Sequence, residues 1–159
     1  MKILAIDPGF ERVGVAIIKR DEGKKDNLIY SSCFKTSPKL YLYERLNLIG
    51  KEIERLIEKY KPKALAIEKL YFTNNQKTAM GVAEARGTIL FCATKAGLQI
   101  FEYTPLQIKV AVTGYGRATK RMVMDMVPKL IKVDASKDSD DEIDAIAAGL
   151  TCLACEKNF

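Results

Sequence analysis

Two short runs of the sequence are wholly apolar, and each is followed by a carboxylate. Residues 3–6 (ILAI) precede Asp7, and residues 64–67 (ALAI) precede Glu68. Runs of this length without polar residues are typical of strands buried on both faces of a sheet. Because a buried, unpaired carboxylate is costly, we expect each acid to lie where its strand leaves the core.

The segment between these runs predicts how the two strands are related. Residues 42–60 place apolar side chains at helical spacing, and Pro62 ends the pattern. A strand, a crossover helix and a second strand form a parallel pair, and functional groups collect beyond the carboxyl ends of such strands. Asp7 and Glu68 are therefore expected to face each other. Alternatively, Asp7 opens a D-P-G turn and Glu68 is a solvated strand end.

The start of the last helix supplies further acids. Ser139 and Glu142 match the S-x-x-E capping box, which predicts a helix beginning near Ser139. Asp141 and Asp144 are three residues apart and share a face of that helix. Small apolar residues follow at positions 145–148, as a helix docked on a sheet requires. The alternative is that these acids only complement the helix dipole.

The whole chain has an α/β pattern. Five strands are predicted at residues 3–6, 13–18, 28–36, 64–67 and 98–103, and helices at 42–60 and 76–95, with helical segments after 105 that are interrupted at 113–116 and at Pro128. Together they predict a five-stranded mixed sheet flanked by helices on both faces. The length of 159 residues predicts one domain, residues 1–159.

The amino-acid composition argues against several kinds of functional site in this chain. The chain has no histidine, which removes the commonest general base. Of its four cysteines only Cys152 and Cys155 are close in sequence, so a zinc site is not expected. No apolar stretch reaches the ~20 residues of a membrane span, and no signal peptide is evident. We expect a cytoplasmic protein with reduced thiols.

The four acids together predict a metal site. Carboxylates that converge on one cleft raise each other's pKa unless a cation keeps them ionised. Oxygen ligands favour a hard ion, which would be Mg²⁺ with Mn²⁺ as a substitute. Two such ions, about 3.5–4 Å apart, are the arrangement that activates water in phosphodiester hydrolysis.

A basic segment and an aromatic pair suggest a nucleic-acid partner. Residues 103–124 contain Lys109, Arg117, Lys120 and Arg121 and no acid, in a chain of net charge +6. Such side chains can hold DNA phosphates beside an acidic centre, although a solvated basic face is the alternative. Tyr71 and Phe72 follow Glu68; either could stack on a DNA base or return to the core.

Five motifs together resemble the RuvC family of Holliday-junction resolvases, which has the ribonuclease H-like fold. They are IDPG (6–9), AIEKLYF (66–72), YTPLQIK (103–109), GYGRATK (114–120) and DEIDAIA (141–147), in that order along nearly the whole chain. The sequence departs from the family pattern at Phe10, where a small hydroxyl residue is more usual.

The resemblance implies a Mg²⁺-dependent endonuclease that acts as a homodimer and nicks two strands symmetrically at a four-way DNA junction, in recombination and repair. It assigns the metal-ligand positions to Asp7, Glu68, Asp141 and Asp144, the DNA-contacting lysines to Lys109 and Lys120, and the wedge at the junction centre to Tyr71. It also suggests cooperation with a branch-migration motor. Small residues at Ala79, Ala83 and Gly87 are a candidate dimer surface, or pack within the chain.

Three other functions remain open at this point. The chain could be a nuclease of the same fold that acts on an RNA–DNA hybrid or on ribosomal RNA precursors. It could be an ATP-binding domain of the actin and sugar-kinase type, although such proteins need two of these domains. It could also bind junctions without cleaving them, but a pure DNA binder would gain by losing its carboxylates.

Overall fold

The protein was analysed as a computed structural model that describes residues 1–20, 25–70, 76–133 and 139–156. Its strands and helices follow the predicted order. The strands are β1 (Lys2–Asp7), β2 (Arg12–Lys19), β3 (Asn27–Lys35), β4 (Ala64–Glu68) and β5 (Gln99–Tyr103), and the helices are α1 (Leu42–Tyr60), α2 (Gln76–Lys95), α3 (Pro105–Thr113), α4 (Lys120–Leu130) and α5 (Asp140–Cys155).

The strands form the mixed sheet that the sequence predicts. Their order across the sheet is β3-β2-β1-β4-β5. The first three strands are antiparallel neighbours, whereas β1, β4 and β5 are parallel. The helix α1 therefore lies in the connection that brings β4 beside β1, and the ends of β1 and β4 lie at the same edge.

Alternate residues of the central strands enter two separate cores. Leu4 and Ile6 of β1 pack with α1 and α2 on one face of the sheet. Ile3 and Ala5 pack with α3, α4 and α5 on the other face. Helices on both faces confirm the predicted layers, and the alternation follows from the two-residue period of a strand. Asp7 continues the series that faces α5.

The ends of the helices agree with local sequence signals except in α4. Ser139 and Glu142 form the predicted capping box at the start of α5. The prediction that Pro128 interrupts the helical pattern is wrong, because α4 continues through Pro128 to Leu130. Proline lacks one backbone donor and disturbs the preceding turn, but Pro128 lies only two residues before the end of α4, so little helix remains for it to disrupt.

Two glycines allow α5 to lie close to the sheet. A Cβ atom on Gly149 would lie 2.6 Å from Ile18 Cδ1 and 2.9 Å from Ala5 Cβ. A Cβ atom on Gly14 of β2 would collide with the backbone of Asp141 and lie 3.2 Å from Asp7 Cβ. A glycine inside a strand is typical of such a close approach. The amino end of α5 is thus held against the end of β1.

The four cysteine side chains differ in their exposure. All four cysteines are free, with Cys92 and Cys152 buried, Cys33 half-buried and Cys155 exposed. Among the described residues, no helix combines the length and the apolar character that a membrane crossing requires.

Candidate active site

Asp7 and Glu68 are the last residues of two neighbouring parallel strands. In the register of β1 and β4, Ile6 lies opposite Ile67, so the two acids follow at the same edge of the sheet. Both side chains are half-buried. The strands therefore bring together two carboxylates that are separated in the sequence by β2, β3 and α1.

The amino end of α5 adds Asp141 and Asp144 to this edge. Lys120 Nζ lies 2.8 Å from Asp144 Oδ2, and Arg12 Nη2 lies 2.7 Å from Asp141 Oδ2. The Cys33 thiol also donates a hydrogen bond to Asp141 Oδ2, with a sulfur to oxygen distance of 3.4 Å. Two of the four acids are thus paired with basic side chains from different parts of the fold.

The four carboxylates act on one another electrostatically. Burial, followed by repulsion from Asp144, Glu68 and Asp141, raises the pKa of Asp7 to about 7, and only Lys120 opposes the shift. Burial and repulsion from Asp144 also raise the pKa of Glu68, against the attraction of Lys120 and Lys109. The arrangement concentrates negative charge at one point, as the sequence analysis predicts for a cation site.

A cleft of about 190 Å³ opens beside these acids. Its polar lining is formed by Glu68, Asp144, Lys109 and Lys120, and its apolar lining by Pro105, Ile108 and Val123. The cleft therefore presents both carboxylates and ammonium groups to a ligand. That combination suits an anionic ligand that is held next to a metal centre.

The acids suit a hard divalent cation in chemistry but do not form a closed coordination shell. Within the described parts of the chain, no three Asp, Glu or Cys side chains are arranged to hold one ion. Asp141 and Asp144 are instead oriented towards Arg12 and Lys120. The four carboxylates provide only oxygen ligands, and burial together with the neighbouring acids raises the pKa of Asp7, a shift that a bound cation would oppose. The residues therefore fit Mg²⁺ or Mn²⁺, provided that these ion pairs open.

The structure brings some of the predicted basic residues to the site and not others. Lys109 and Lys120 line the cleft. Arg121 extends along α4 to Asp125, with 3.5 Å between Nε and Oδ2, and is not a lining residue of the cleft. Arg117 is exposed in the loop between α3 and α4. Tyr71 and Phe72 lie outside the described residues.

Three residues that the sequence analysis did not single out support the site. Arg12 pairs with Asp141. Arg86 of α2 donates from Nε to the backbone oxygen of Glu68 at 3.3 Å and forms an ion pair with Glu102. Gly14 admits the start of α5. Only Gly14 left a signal in the sequence, as a glycine inside a predicted strand.

Phe10 has a structural role in the loop that follows Asp7. The guanidinium of Arg45, a buried side chain, lies 5.4 Å from the centre of its ring. The ring also packs so closely on α2 that a Cβ atom on Gly81 would lie 2.8 Å from it. Thr36 Oγ1 donates to the Phe10 carbonyl at 2.6 Å. An apolar residue at this position therefore anchors the loop next to Asp7.

A mixed sheet of this strand order, with acids at the ends of β1 and β4 and at the start of a helix on one face, defines a nuclease of the ribonuclease H-like fold. The family model described as crossover junction endodeoxyribonuclease RuvC matches residues 3–152. The chain belongs to the RuvC family.

Relatives and solved structures agree with this assignment. The chain is 44% identical over 159 residues to the crossover junction endodeoxyribonuclease RuvC of Petrotoga mobilis, covering 100% of this chain and 94% of the relative. It is 41% identical to that of Thermosipho melanesiensis, covering 100% of both. A structure of Thermus thermophilus RuvC in complex with Holliday junction substrate has a TM-score of 0.89 at 29% identity, covering 97% of this chain and 93% of that one. A yeast mitochondrial Holliday junction resolvase shares the fold, with a TM-score of 0.66 at 14% identity.

Proposed function

We propose that this protein is a divalent-metal-dependent endonuclease that resolves four-way DNA junctions by paired, symmetric nicks. The observation that carries the proposal is the convergence of Asp7, Glu68, Asp141 and Asp144 at one edge of the sheet, next to two lysines. Membership of the RuvC family supports the junction as substrate rather than a nucleotide or an RNA hybrid.

The four carboxylates are the proposed ligands for Mg²⁺, with Mn²⁺ as a substitute and two ions in each site. Bound there, the ions would activate a water molecule and stabilise the leaving oxygen of the cleaved phosphodiester. The fold positions the carboxylate oxygens for the ions. Asp7 and Glu68 are fixed at the ends of their strands, and Gly14 allows α5 to bring Asp141 and Asp144 close to them. The half-buried position of Asp7 limits competing water.

Lys109 and Lys120 are the proposed contacts to the DNA backbone at the cleft. A negatively charged centre repels DNA, and these two cations sit where they can offset that repulsion. Because Lys120 also pairs with Asp144, binding of a cation to that carboxylate would release the ammonium group for a phosphate oxygen. Arg117 and Arg121 are proposed to contact the DNA farther from the cleft.

We propose that the protein acts as a homodimer, since two symmetric cuts follow directly from two-fold symmetry. The face of α2 that carries Ala83 and Gly87 is exposed, and a Cβ atom on Gly87 would meet no atom within 4 Å. Met80 and Phe91 extend this face, with 70% and 66% of their surfaces exposed. This α2 face, defined by Met80, Ala83, Gly87 and Phe91, supports the intermolecular role of the small residues over the intramolecular one.

The proposed function is tested with a synthetic mobile four-way junction, incubated with and without Mg²⁺ and analysed for paired nicks on a denaturing gel. Competition with plain duplex and with an RNA–DNA hybrid measures selectivity. We expect Asp7→Asn and Glu68→Gln to abolish nicking and to preserve or tighten junction binding. Glu54→Gln is the matched control, because Glu54 lies on α1 and pairs there with Lys95, away from the four acids. Nicking that persists in both site variants would refute the catalytic assignment.

A further inference from the structure

Arg12 occupies an unusual position for a basic residue in this fold. It is the first residue of β2, directly after the loop that begins at Asp7, and its guanidinium lies 2.7 Å from Asp141 Oδ2. Its side chain is 53% exposed, whereas that of Asp141 is 24% exposed. The neighbouring acid, Glu11, instead accepts a hydrogen bond from Arg45 at 3.3 Å. Arg12 is therefore directed at the acidic centre and is also open to a ligand.

The position of Arg12 mirrors that of Lys120 across the acids. Asp141 and Asp144, on one turn of α5, each hold one half-exposed cation. Lys120 comes from α4, on the side of the site formed by α3 and α4. Arg12 comes from β2, which lies on the opposite side of β1 from β4 and β5. A DNA strand that crosses the acids would thus pass between two cations.

Stability alone does not account for the Arg12 pair. Exposed ion pairs contribute typically about 0.2–1 kcal/mol because water screens them and the side chains lose freedom. A guanidinium, in contrast, offers a planar set of donors that matches the oxygens of a phosphate. Lys35, exposed on β3, lies opposite Arg12 in the strand register and adds positive charge beside it.

We propose that Arg12 is a further phosphate-contacting residue. It neutralises Asp141 in the metal-free protein and turns to a backbone phosphate of the DNA when that carboxylate serves a divalent cation. This inference rests on the proposed metal site and DNA substrate. The proposal gives the β2 side of the site a role in DNA binding. The predicted basic residues, at positions 109 to 121, do not provide a contact on that side.

The experiment compares junction binding by the wild type, Arg12→Ala and Arg12→Gln over a range of salt concentrations, in Ca²⁺ and in EDTA, with a gel to verify that the DNA stays intact. Each lost phosphate contact lowers the steepness of log K against log salt by ~0.9. We expect that reduction for both variants in Ca²⁺, and a smaller reduction in EDTA, where Asp141 already holds the guanidinium. The matched control is Arg55→Ala, since Arg55 pairs with Glu52 at the same distance of 2.7 Å and is 49% exposed on α1.

A second measurement separates a DNA contact from an ion pair alone. Titration of the DNA-free protein with Mn²⁺ should show tighter binding for Arg12→Ala than for the wild type, because a competing cation has been removed. A salt dependence in Ca²⁺ equal to that of the wild type and of Arg55→Ala would overturn the proposal, whatever the Mn²⁺ affinity. A wild type that binds DNA but never nicks the junction in Mg²⁺ would instead refute the proposed function.

Discussion

The substitution Gly14→Ala probes the contact that joins the acids of the sheet to those of α5. The added Cβ atom would lie 2.6 Å from the carbonyl carbon of Asp141 and 3.2 Å from Asp7 Cβ. It would also overlap the carbonyl oxygen of Asp141, which is the nearest atom, and ordinary contacts of a Cβ atom begin at 3.4 Å; the amino end of α5 must therefore move away by roughly 1.5 Å. A neighbour made of backbone cannot rotate aside as a flexible side chain can.

The loss of stability expected for Gly14→Ala follows from substitutions that overpack other protein cores. Forcing an extra carbon into a packed region destabilises by about 1–3 kcal/mol, and for a chain of this size that lowers the melting temperature by about 2–12 °C. A misplacement of ~1 Å in a catalytic constellation can reduce the rate by ~10²-fold. We therefore expect Gly14→Ala to fold, to melt earlier and to lose about two orders of magnitude in nicking rate.

The assay is a thermal melt combined with single-turnover nicking of the junction. Gly50→Ala in α1 is the control, because a Cβ atom there would make only ordinary contacts, 3.4 Å from Thr88 Cγ2 and 3.7 Å from Cys92 Sγ. It should raise stability by about 0.5–1 kcal/mol through the helix preference of alanine over glycine. A Gly14→Ala protein with the melting temperature and nicking rate of the wild type would refute the close approach of α5 to β2.

Three further predictions follow from the same structure. Without divalent cations, the stability of the wild type should fall as the pH rises from about 4 to about 7. The reason is that folded Asp7, with its pKa raised from 3.8 to about 7, keeps a proton that the unfolded chain releases. The melting temperature of Asp7→Asn should lack this part of the pH dependence, and a pH dependence identical to that of the wild type would contradict the prediction. Phe91→Glu should convert the proposed dimer to a monomer in sedimentation and remove paired nicking, whereas Tyr43→Glu, at a side chain of similar exposure, 68%, on α1, should do neither. A dimer that survives Phe91→Glu would exclude the α2 face as its interface. Tyr71→Ala should leave junction binding largely intact and reduce cleavage, and unchanged cleavage would remove its proposed wedge role.

The local spacing of apolar residues explains why the helices and strands were predictable. The helix residues 42–60 and 76–95 and the five strands were read correctly to within two residues, because the periodicities of burial in helices and strands are local properties of the chain. Pro128 was the exception, since its cost depends on its distance from the end of α4.

The four acids show which properties of the site follow from the sequence and which follow from the tertiary structure. The chain itself determined that carboxylates end two buried strands and open a capped helix, because strand termination and helix capping depend on neighbours in sequence. Only the fold decided that Arg12 reaches Asp141, that Lys120 reaches Asp144 and that the pKa of Asp7 rises to about 7. Those properties arise from charges and backbones of different helices and strands that approach through space, and no local pattern of the sequence records such distances.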